Sequence, residues 1–218
     1  MLATRPGSGV VSRTMGIGTS RWKLCVALAV SAGMAASPVS AHPHVWIDYS
    51  AVVLFDDANV KAVRMTWTFD EMYSSMLFHD YTARPHGPLT AADVRKLEKG
   101  AFEDTKDYHY FVDVILNGVS VAVKEVSDFD ASYDGHRMTY RFTVPIRAGA
   151  AQKQNTIEVD SFDTEFYIDF ELAKKEPISA QHGATIAVSC APKQVPKHTT
   201  LFGALTVPVA ACTFTMAG

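Results

Sequence analysis

His42 and His44, separated by Pro43, are the residues of this 218-residue chain whose types and spacing point most directly to chemistry. Two imidazoles two positions apart fall on one face of an extended backbone, the condition for gripping a single ion together. Nitrogen donors suit zinc, copper, nickel and cobalt rather than calcium or magnesium. If His42 is the first residue of a processed chain, its α-amine and ring add a chelate of their own. The amino-terminal square-planar copper and nickel motif is excluded, because it needs a deprotonated amide from the second residue and Pro43 has none. Asp70 and Glu71 are the expected carboxylate partners, since a hairpin between residues 44 and 69 would return them beside the histidines. The bland alternatives are local ones. Asp70 can cap a helix while Glu71 favours its dipole, worth about 1 kcal/mol, and the two histidines can be a solvated chain end.

Asp160, Asp163, Glu165 and Asp169 form a second acidic group around Phe162, Phe166 and Tyr167. Asp163 is the secondary metal candidate there, together with His109 between Tyr108 and Tyr110. The remaining histidines sit near helix ends or turns and read as ordinary surface residues. No G-x-S-x-G, H-E-x-x-H, phosphate-loop or dinucleotide fingerprint occurs, so the chain reads as a binding protein rather than an enzyme.

Residues 1–41 hold Arg5, Arg13, Arg21 and Lys23 but no acid, then an apolar run from Leu24 to about Ala36, then Ser37-Pro38-Val39-Ser40-Ala41. That order reads as a secretory signal peptide, with cleavage expected after Ala41 and a periplasmic destination. Cys190 and Cys212 are the cysteines beyond it, and export favours a disulfide over shared metal ligation or two free thiols. Sixteen basic and 23 acidic residues remain after cleavage, a net charge of −7, which argues against nucleic acid and is compatible with gathering cations. Residues 199–218 carry no charge, but Gly203, Pro208 and a β-branched run from Thr206 favour a packed terminal strand over a membrane anchor.

The elements that must position these residues are mainly β. Val45, Ile47, Tyr49, Ala51, Val53 and Phe55 alternate with polar residues, and Val63, Met65, Trp67 and Phe69 resume the alternation, giving a hairpin over 44–69. The period changes at Asp70, so a short helix follows, and a second runs from the Thr90 cap to about Lys106 with Val94, Leu97, Ala101 and Phe102 inward. Strands are expected over 111–116, 119–126, 138–144, 156–160, 166–172 and 185–189, with Asn117-Gly118 as a hairpin turn and Pro177, Pro192, Pro196 and Pro208 punctuating loops. The fold class is thus α+β: one domain over 42–218, a β-sandwich-like antiparallel core with a helical insertion around 70–106.

His42-Pro43-His44-Val45-Trp46-Ile47-Asp48, then Trp67-Thr68-Phe69-Asp70-Glu71-Met72, then Phe162-Asp163 leading into Phe166-Tyr167-Ile168 together resemble a bacterial family of periplasmic proteins of unknown-function type. This ZevA-like family is often labelled the periplasmic component of an ABC-type transport system. It is paired with inner-membrane permeases similar to nickel/cobalt exporters and implicated in zinc handling. The resemblance implies an accessory protein for divalent metal transport, with zinc the first choice of ion and nickel, cobalt or copper behind it. His42, His44, Asp70 and Glu71 fall in its signature blocks. Two other functions stay open at this point: a copper protein, carrier or oxidase, using the N-terminal histidine as a brace, and an adaptor subunit whose histidines bind nothing.

Overall fold

The alternation around the two tryptophans builds the central hairpin. In a computed structural model, which describes residues 44–56, 59–148, 153–184 and 186–216, β1 (Val45–Asp56) and β2 (Asn59–Phe69) pair antiparallel, from Ile47 opposite Phe69 to Asp56 opposite Asn59. Their inward rows, Val45, Ile47, Tyr49, Ala51 and Val53 against Val63, Met65, Trp67 and Phe69, are buried, so His44, Trp46 and Asp48 take the outward row. Two further antiparallel strands, β5 (Ser127–Tyr133) and β6 (Met138–Ala148), extend the sheet from β2. On the other edge, β8 (Ile168–Leu172) and then β9 (Ile178–Gln181) lie parallel to β1, one beyond the other.

The second sheet has the order β10 (Ile186–Thr199), β11 (Gly203–Met216), β7 (Gln154–Ser161), β3 (Val112–Leu116), β4 (Val119–Val121). Val112, Val114, Ile157, Val159 and Phe214 close the core from this side. Two contacts between the sheets illustrate the fit. The Phe55 and Phe214 rings meet edge to face at 4.9 Å, and the buried Trp67 indole donates to Ser161 Oγ at 2.9 Å, satisfying the one polar atom a core tryptophan carries in. The expected sandwich-like β core with a helical insertion is therefore present, with two parallel pairings added at the β1 edge.

The insertion departs from expectation in its winding. α1 (Glu71–Tyr81) and α2 (Ala91–Leu97) are both side-chain capped. Thr90 and Asp93 form a capping box, and hydrogen bonds from Thr90 and Arg84 hold the Asp93 carboxyl down to about 2. α2 does not continue to Lys106 as one helix: it widens to a π turn over Glu98–Phe102 and then tightens to 3₁₀ winding within Glu103–Phe111, broken by a kink at Tyr108 to Tyr110. The looser turn brings Gly100 onto the Tyr81 ring, where a Cβ would stand 2.7 Å from a ring carbon, and the Tyr81 hydroxyl donates to the Gly100 carbonyl. His109, Tyr110 and Phe111 then take positive φ in succession, so β3 starts at Val112, one residue later than the periodicity indicates.

The terminal hairpin is longer than expected. β10 spans fourteen residues through Pro192 and Pro196, which the sequence suggests are loop residues. Among the described residues only β11 pairs with β10, so β10 is an edge strand, where a missing outward N–H costs no ladder bond. Cys190 and Cys212 stand directly opposite in this hairpin and are bonded, with a Cα–Cα distance of 4.1 Å. Among the described residues no helix is long and apolar enough to cross a membrane. Opening a loop of 22 residues should cost about 3 kcal/mol. The Cys190→Ala, Cys212→Ala double variant is therefore expected to melt roughly 6–12 °C lower, and an unchanged melting temperature would show that the ladder alone fixes the hairpin.

Candidate functional site

Asp70 joins the start of β1 to the start of α1. Its Oδ1 accepts from the Tyr73 amide at 2.8 Å and its Oδ2 from the Trp46 amide at 3.1 Å, while its own amide donates to the Trp46 carbonyl at 2.9 Å. The capping role considered for Asp70 is thus present, and the same carboxylate reaches to within two residues of His44. Glu71 follows as the exposed first residue of α1. Arg137, just before β6, fixes this corner: it donates to the Phe69 and Thr68 carbonyls and pairs with Asp48 at 2.8 Å.

His44 is held from the opposite edge. Its amide donates to the Tyr167 carbonyl at 2.9 Å, and its ring centroid lies 4.7 Å from that of Tyr167. Beyond it, Trp46 stands beside Asp169 in the parallel β1–β8 register and Asp48 beside Glu171. Burial, and then the Glu171 charge, push the Asp169 carboxyl up. The β8 flank of β1 is therefore acidic, whereas on the β2 flank Asp48 faces Thr68 and pairs with Arg137. His42 lies outside the described residues, and among the described residues no three of His, Cys, Asp and Glu converge on one ion position. His44, which precedes β1, and Asp70, whose carboxylate accepts from Trp46, both lie near the start of β1, with Glu71 following on α1.

The secondary candidates share a space but not a ligand arrangement. Asp163 and His109 both line a cavity of about 270 Å³, with Asp107, Phe111, Asp113 and Phe162. Asp163 is only 5% exposed; its Oδ1 accepts from the Glu165 amide at 3.0 Å and its Oδ2 from the Tyr167 and Ile168 amides at 2.9 and 3.0 Å. Its carboxylate ties down the loop that carries Tyr167 and hence His44. Asp160 leaves the acidic group altogether. Its Oδ1 accepts from the buried Tyr49 hydroxyl at 3.0 Å, and Lys197 Nζ lies 2.7 Å from both Asp160 and Asp113. Burial pushes the Asp160 carboxyl up against the pull of Lys197, whereas the two carboxylates raise the lysine despite its own burial. This is an ion-pair network packed within the fold.

A family model described as a protein of unknown function, DUF1007, matches residues 26–200, which takes in the hairpin, the Asp70 corner and the Asp163 loop. The chain belongs to the DUF1007 family. It is similar to an uncharacterized protein of Haemophilus influenzae, 24% identical over 143 residues that cover 64% of this chain and 67% of the relative. It is also similar to an uncharacterized 15.5 kDa protein in the trpE 3' region of Spirochaeta aurantia, 28% identical over 100 residues, 46% of this chain and 71% of that one.

Sequence reasoning missed Arg137 and Tyr167. Arg137 follows a Gly135-His136 turn and carries no motif. Tyr167 reaches His44 through a parallel pairing between strands more than a hundred positions apart, a contact that spacing cannot reveal.

Proposed function

We propose that this DUF1007 chain is an exported protein that binds one divalent transition-metal ion, zinc in the first place, at the start of β1. In this reading it serves as the accessory of an inner-membrane metal permease. The observation that carries the reading is the Asp70 carboxylate bridging the Trp46 and Tyr73 amides. It anchors an acidic helix start beside the strand whose preceding residues are His44 and His42.

The donor chemistry fits. An ionised carboxylate offers about four acceptor positions, and the backbone amides use two of those on Asp70, so a metal can still be accepted by an oriented oxygen. Glu71 adds an exposed carboxylate and His44 an exposed imidazole backed by Tyr167. The flanking Asp169 and Glu171, with a processed net charge of −7, draw cations toward the corner. A site on one outer corner, rather than within a cleft, exchanges its ion readily, which suits delivery to a permease.

Zinc competition titration of the exported protein tests this. One saturable ion per chain is expected, weakening several-fold in Glu71→Gln and weakening as pH falls, because metal and protons compete for the same donors. Absence of saturable binding at neutral pH would contradict the reading.

A further inference from the structure

α1 is seated entirely through one face. Ser74, Leu77 and Phe78 are buried, Ser74 Oγ accepts from the Met138 amide at 2.8 Å, and Phe78 stacks on Tyr133 with centroids 4.5 Å apart. The outer face carries Met72, Met76 and His79, at positions i, i+4 and i+7 of the helix. Methionine ordinarily goes inside, as Met65 and Met138 do here, both fully buried. Met72 is instead 68% exposed, Met76 48%, and the His79 side chain 91%.

Residues three and four apart on a helix have Cβ atoms about 5–6 Å apart, and side chains lean toward the helix N-terminus, so His79 leans over Met76. Met72 lies two turns, about 10 Å, N-terminal to His79, so its flexible thioether arm must reach back along the helix to join Met76 and His79 on one ion. Two soft sulfurs and one imidazole match copper(I) and discriminate against zinc and against hard cations. His79 Nδ1 lies 3.5 Å from Asp80 Oδ1, which leaves Nε2 for an ion.

We propose that Met72, Met76 and His79 form a copper(I) site on the outer face of α1, separate from the corner at His44. The site needs neither His42 nor His44. Because the buried face alone seats the helix, an ion binds there without rearranging the core.

Anaerobic titration of the full chain with copper(I), kept reduced by ascorbate and competed by a chromophoric chelator, is the test, with X-ray absorption on the complex. One copper(I) with sulfur scattering is expected. Met72→Leu with Met76→Leu keeps bulk and helix propensity and should lower affinity by about 100-fold or more and remove the sulfur signal. His79→Gln should lower it by about tenfold or more. Unchanged affinity in the methionine pair, copper held by nitrogen and oxygen alone, or no copper(I) binding overturns the proposal. The methionine pair should keep zinc binding, and His42→Ala with His44→Ala should keep copper(I) binding, so this site and the zinc corner fail separately.

Discussion

Asp163→Ala is expected to lower stability by roughly 3–5 kcal/mol, a large effect for one surface-loop residue. The carboxylate is buried and accepts three backbone N–H groups, from Glu165, Tyr167 and Ile168. Bonds to a charged acceptor contribute about 1.5–3 kcal/mol each and do not add fully. Alanine takes the acceptor away from all three amides at once. Asp163→Asn keeps one acceptor oxygen and should lose about half as much. Since Tyr167 accepts the His44 amide, releasing the loop should also loosen the corner and weaken zinc binding. Urea denaturation at constant m-value measures the first effect. A loss under about 1 kcal/mol, together with a complete loss of metal, would instead make Asp163 a ligand.

Much of the fold was legible in the residues. The period-two rows of β1 and β2 depend on a single buried side, and a one-residue slip would expose Trp67 and Tyr49, so the pattern fixes the register. The cysteines were legible because the even count left beyond an expected signal segment points to pairing. What lay hidden depends on contacts distant in the chain. Parallel docking of β8 and β9 on β1 has no local signal. The π turn accompanies a contact between Gly100 and Tyr81, nineteen positions away. Pro192, Pro196 and Pro208 mislead because proline is tolerated where a strand lacks a neighbour: β10 is an edge, and Pro208 lies before the stretch of β11 that pairs with β7.

At the candidate site, the Asp70 cap and its nearness to β1 were readable from a hairpin followed by a change of period. The use of Asp163 was not. An acidic residue among aromatics reads as a ligand or a surface group, and its three backbone partners are set by the turn that Phe166 makes at positive φ. His109 likewise lies in a left-handed run that no spacing announces.

The largest functional effect is expected from the histidines themselves. Removing both imidazoles takes away the nitrogen donors and leaves Asp70, already committed to two amides, with Glu71. Carboxylates alone hold zinc weakly, so affinity should drop by about 100-fold or more, about 2.7 kcal/mol or more. Stability should change little, because His44 is exposed and its amide bond to Tyr167 survives substitution to alanine. The direct measurement is a zinc competition titration of the processed wild type beside His42→Ala, His44→Ala, with both proteins shown to unfold at the same urea midpoint. The account predicts one tight zinc in the wild type and none in the double variant. Equal affinity in the two folded proteins would contradict it.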